Sequence, residues 1–147
     1  ASSRGEKTAA LDRNIHLAFA YHRTGRVDDA VELLERTNTA IEAFIASRTL
    51  EIPEIYESAA LVRALRGDRS GARDALARAI GLGWFNYNFA VNDPIWAQAF
   101  AGEDLPALLA NVKTELDRQR AVVEAADELD GFRAEIEPLL ARIAGRQ

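Results

Sequence analysis

The chain contains no cysteine, which excludes a disulfide framework and a thiolate metal site. It contains no methionine either, so residue 1 does not read as a natural start of translation, and we expect a processed chain or an excised part of a larger protein. No stretch approaches 18 consecutive apolar residues, and the opening Ala1-Ser2-Ser3-Arg4-Gly5-Glu6 lacks an apolar block. Neither a membrane span nor a secretory signal is therefore read, and no membrane partner is expected. Basic runs are missing as well: 18 Lys and Arg are interspersed with 23 Asp and Glu for a net charge of −5, which argues against a nucleic-acid partner. The compartment stays open, with the cytoplasm favoured and the periplasm as the alternative.

What is present is helical. At 147 residues the chain suffices for one domain, burying about 68–70% of its unfolded surface. Apolar residues recur at helical spacing, strand-like alternation is absent, and Ala and Leu dominate, so the expected class is all-α. Turn signals at Thr24-Gly25-Arg26, Glu51-Ile52-Pro53, Arg66-Gly67-Asp68, Gly81-Leu82-Gly83, Asn92-Asp93-Pro94 and Ala101-Gly102-Glu103 divide the chain. They predict helices at about 6–24, 27–47, 53–66, 69–81 and 94–101, and a long helix from 104. Pro53 and Pro94 suit first-turn positions, and Asp93 and Asp104 are placed to cap the helices that follow them.

An internal repeat emerges when Gly25 is aligned with Gly67. Leu17-Ala18 then lies over Ala59-Ala60, Ala30 over Ala72, Leu34 over Leu76 and Thr37 over Ala79. Small residues fall where two packed helices would approach most closely, which predicts helical hairpins. The expected organisation is a single domain: hairpins at about 6–48 and 53–82, a degenerate third unit at 93–128 and a C-terminal helix at 129–145.

These residues resemble the tetratricopeptide repeat superfamily: Leu17-Ala18, Tyr21, Gly25, Ala30 and Leu34 in one unit, and Tyr56, Ala60, Gly67, Ala72, Leu76 and Ala79 in the next. The stretch from Ala79 to Trp84, then Asn92 to Trp96, then Leu105 to Leu109 ending in Arg118-Gln119-Arg120, resembles a narrower group. There, such repeats form the C-terminal part of bacterial signalling proteins, behind a winged-helix DNA-binding or nucleotide-cyclase domain. The resemblance implies a stack of antiparallel hairpins that serves as a regulatory or scaffolding module and binds a protein or peptide. Two departures stand out: Asn14 replaces a large aromatic, and Arg63 sits where the first unit has Tyr21.

In such a stack the first helix of each pair lines a groove. Helix 1 would present Asp12, Ile15, His16, Phe19, His22 and Arg23, and helix 3 would add Glu54, Glu57, Ser58 and Leu61, so the two walls would differ in charge. The alternative is that Ile15 and Phe19 are covered by the chain's own C-terminal helix. His16 and His22 are six apart, unlike an i, i+4 ligand pair, and no nucleophile elbow accompanies them, so neither a metal, a cofactor nor an enzyme activity is expected. The acidic pairs Asp28-Asp29, Glu103-Asp104 and Asp127-Glu128 fit helix starts and solvated turns. The aromatic cluster Trp84, Phe85, Tyr87, Phe89 and Trp96 reads as a plug in the seam between hairpins, with a small-molecule sensor pocket as the alternative.

Beyond Leu105, apolar positions Leu109, Val112, Leu116 and Val123 recur at helical steps. They resume out of phase as Leu129, Phe132, Ile136, Leu139 or Leu140, and Ile143, with Gly131 at the break and Pro138 positioned to kink a continuation. Two readings follow, a helix that folds back to cap the stack or a coiled-coil arm that forms a homodimer, and the phase break favours folding back.

Overall fold

The computed structural model describes residues 3–47 and 51–145. Among these the secondary structure is entirely helical: α1 (Ser3–Arg23), α2 (Val27–Ser47), α3 (Pro53–Leu65), α4 (Arg69–Gly81), α5 (Tyr87–Asn92), α6 (Pro94–Ala99) and α7 (Leu105–Gly145). No helix of the described residues is long and apolar enough to cross a membrane. The chain divides into two compact units, residues 1–112 and residues 113–147.

In the first unit, α1 packs on α2 and α3 on α4, while α3 also meets α1, α2 and α6. The links inside both pairs are built alike. Gly25 and Gly67 have φ of 83° and 85°, the left-handed region that only glycine enters freely. The following amide closes on the third-last helical carbonyl in each case, Arg26 N–H to Tyr21 O at 2.8 Å and Asp68 N–H to Arg63 O at 2.9 Å. Each glycine thus ends its helix in a Schellman turn, and the short link returns the next helix against the first. Equivalent small residues are buried in both pairs: Ala18 and Ala60, Ala30 and Ala72, Thr37 and Ala79. Thr37 donates its hydroxyl to Leu33 O at 2.7 Å, which satisfies it inside the core. The likeness is incomplete, since Leu17 is exposed where Ala59 is buried, and Leu34 is only half-buried where Leu76 is fully covered.

Caps define the remaining boundaries. The Asp68 carboxylate accepts from Gly71 N–H, Asp93 from Ile95 and Trp96 N–H, and Asp104 from Ala107 N–H, each cap contributing about 1 kcal/mol. Arg63, the departure noted in the second unit, bridges three helices by donating to Glu42 at 2.8 Å on α2 and to Gly71 O at 3.1 Å on α4. Arg66 adds a two-pronged contact to Glu35, and the Glu35 carboxyl is held below its usual range by that hydrogen bond.

Two expectations need correction. The connector after Trp84 contains a helical turn, Tyr87–Asn92, with Ala90 buried against the core. The separate helix expected at 129–145 does not exist as such, because α7 continues through Gly131 and Pro138 as one element. A single Gly costs about 1 kcal/mol and a Pro about 3 kcal/mol in a helix interior, and the long run of good helix formers on either side offsets both.

Candidate functional site

The residues expected in a groove separate into two sets. Ile15, 1% exposed, and Leu61, 7% exposed, belong to the core and present nothing to a partner. On α1 the buried stripe is Leu11, Ile15 and Ala18, spaced i, i+4, i+7. Asp12, His16 and Arg23 lie on the neighbouring exposed stripe, with Phe19 half-buried beside them. α3 is buried on several faces because four helices surround it, which draws Leu61 inward while Glu54 stays exposed and Glu57 and Ser58 are half-buried.

The exposed set is tied together locally. His16 Nδ1 lies 2.9 Å from Asp12 O and 3.6 Å from the Asp12 carboxylate. The Arg23 guanidinium sits 5.6 Å from the centre of the Phe19 ring. Phe19 and His22 border a cleft of about 110 Å³ whose other walls include Ala30, Val31, Leu34 and Leu65. Among the described residues no group of three or more His, Asp and Glu is arranged to hold a metal ion.

Glu57 is the electrostatic centre of this face. Burial pushes its carboxyl above the ordinary value of 4.5; the Trp84 indole N–H pulls it back down, and the carboxylates of Asp12, Glu54 and Asp93 push it up again. Acidic side chains from α1, from α3 and from the turn before α6 therefore all bear on the Glu57 carboxyl. Asp93 is partly compensated by the two amides it caps, whereas among the described residues no cation acts on Glu57. The Trp84 Nε1 is fully buried and has no hydrogen-bond partner of acceptable geometry, so the indole influences Glu57 without completing a bond to it. Sequence reasoning placed Glu54, Glu57 and Asp12 on this face but missed Asp93 and Trp84, whose positions follow from the packing of α6 on α3.

The aromatic cluster also divides. Trp84 and Trp96 stack with centroids 5.3 Å apart, Trp96 stacks on Phe100 at 5.5 Å, and Tyr87 meets Trp84 edge-on at 5.3 Å. Trp84, Trp96 and Phe100 are buried, so these rings fill one another's space. Phe85 and Phe89 point the other way, 78% and 57% exposed. Compared with protein-family models, curated proteins and solved structures, the chain has no match.

Proposed function

We propose that the chain is a tetratricopeptide-like interaction module, non-enzymatic, whose α1/α3 face receives a peptide or protein segment carrying a basic side chain. The observation that carries this reading is the half-buried Glu57 carboxyl with three further carboxylates acting on it and, among the described residues, no cation. An ionised carboxyl is costly to bury among like charges, and a Lys or Arg from outside would relieve both terms at once. Phe19 and its adjoining cleft offer a separate apolar contact along α1 for a further side chain of the same segment. The doubled Schellman-linked pairs are in keeping with the repeat reading; the narrower proposal, a regulatory part in a larger bacterial signalling protein, rests on the sequence resemblance alone.

The test is a fluorescence-anisotropy comparison of lysine- and arginine-bearing peptides with acidic and neutral peptides of equal length. Binding of the basic set, weakened by salt, is expected. The Asp12→Asn/Glu54→Gln double variant alters two exposed positions, keeps the fold, and should lose about tenfold in affinity, or about 1.4 kcal/mol. Equal binding of all three peptide sets, or undiminished binding by the variant, refutes the proposal.

A further inference from the structure

The second unit is one helical stretch with no core of its own. From Lys113 to Gly145 no residue is buried, yet Val122, Leu129, Phe132, Leu139, Leu140 and Ile143 are each more than half exposed. A lone amphipathic helix draws most of its stability from covering its apolar face, so this stripe calls for an occupant.

Its spacing identifies one. Val122, Leu129, Ile136 and Ile143 are seven apart, and Ala125, Phe132 and Leu139 fall three residues after the first three of them. Every a and d position of three successive heptads is therefore apolar, and β-branched residues fill three of the four a positions. The two residues that weaken a helix, Gly131 and Pro138, are themselves seven apart and take the c position, on the side away from the seam. In this register Glu128 is at g and Arg133 at the next e, the positions that face each other between parallel strands, so two opposite-charge pairs form by symmetry. An antiparallel arrangement would instead set g against g and bring Glu135 onto its own copy.

The size is adequate as well. At about 60–120 Å² per large apolar side chain, the six exposed residues supply on the order of 600 Å². Ala125, Ala126 and the stems of Glu128 and Arg133 bring this near the roughly 800 Å² per partner of a stable interface. We propose that residues 122–143 form a parallel two-stranded coiled coil with a second copy of this chain, making the protein a homodimer with paired first units.

The full chain should sediment at twice its 16.1 kDa mass, with dissociation on dilution. Ile136→Glu at the central a layer should return it to a single-chain mass while tryptophan fluorescence, which reports only the first unit, stays unchanged. Because the chain has no cysteine, Leu129→Cys gives one thiol, and parallel strands place it beside its own copy. Rapid disulfide formation between chains under mild oxidation is then expected. Glu128→Arg should weaken the dimer several-fold, and adding Arg133→Glu should restore it. A wild-type mass of one chain at all concentrations would overturn the proposal and assign the stripe to a partner of different sequence. A dimer in which Leu129→Cys stays reduced, or in which Ile136→Glu remains dimeric, would overturn the parallel seam.

Discussion

Replacing Trp96 by alanine should remove one of the largest single contributions to the first unit. The indole is 1% exposed and is stacked between Trp84, at 5.3 Å and 19°, and Phe100, at 5.5 Å and 13°. A buried aromatic of this kind covers about 150–250 Å², worth roughly 4–6 kcal/mol at ~25 cal/mol/Å². Compactness of the unfolded chain and partial collapse of the cavity lower this to about 3–5 kcal/mol. With a urea slope of about 1–3 kcal/mol/M, the midpoint should fall by roughly 2 M. Urea titration followed by the fluorescence of the remaining Trp84 measures this directly. Phe85→Ala is the control, because Phe85 is 78% exposed and its loss should fall within about 0.5 kcal/mol. If Trp96→Ala and Phe85→Ala shift the midpoint alike, the stacked rings are not the packed seam described above, and the aromatic cluster regains its claim as a ligand pocket.

Ala72 is fully buried on α4, so Ala72→Leu should overpack that contact and cost about 1–3 kcal/mol; an unchanged urea midpoint would mean the repeat register is misplaced. Glu57→Gln should be neutral to stability at and below the ordinary carboxyl value of 4.5 and stabilising above it. A raised pKa means the folded state holds its proton more tightly than the unfolded chain, so the wild type loses stability as pH rises from that value through the folded one, and Gln removes the loss. Urea midpoints of both proteins across this range check it, and a difference that does not vary with pH would refute the burial of Glu57.

Much of the helical map was legible because it depends on local chemistry. Gly25 and Gly67 end helices by backbone conformation alone, and Asp93 and Asp104 start them by accepting amides two or three residues ahead. The missed α5 shows where local signals fail: Asn86 precedes it without a side-chain cap bond, and its six residues are held by the burial of Ala90. The break expected at 129 failed for the opposite reason. A change of apolar phase in the sequence marks a change in which face of a helix is used, and it does not require the backbone to stop.

The candidate site was less legible because it is a property of burial. The exposed stripe of α1 can be told from its buried one only after Leu11, Ile15 and Ala18 are recognised as a single i, i+4, i+7 set. Glu57 is harder still, since Asp12 and Asp93, at opposite ends of the first unit's sequence, must both be brought to it before its environment becomes acidic. That convergence is also what distinguishes it from the other charged residues. Glu35 and Glu42 have arginine partners that are themselves part of the packing, and their charges are accounted for within the fold. Glu57 is half-buried and its carboxyl is pushed up first by burial and then by like charge, a local arrangement of the kind expected where a fold holds a group ready for a ligand. His16 is tied to Asp12, and the stacked tryptophans are buried against each other rather than open to a ligand. The imbalance at Glu57 is why the proposed binding is centred there rather than on the histidines or the rings.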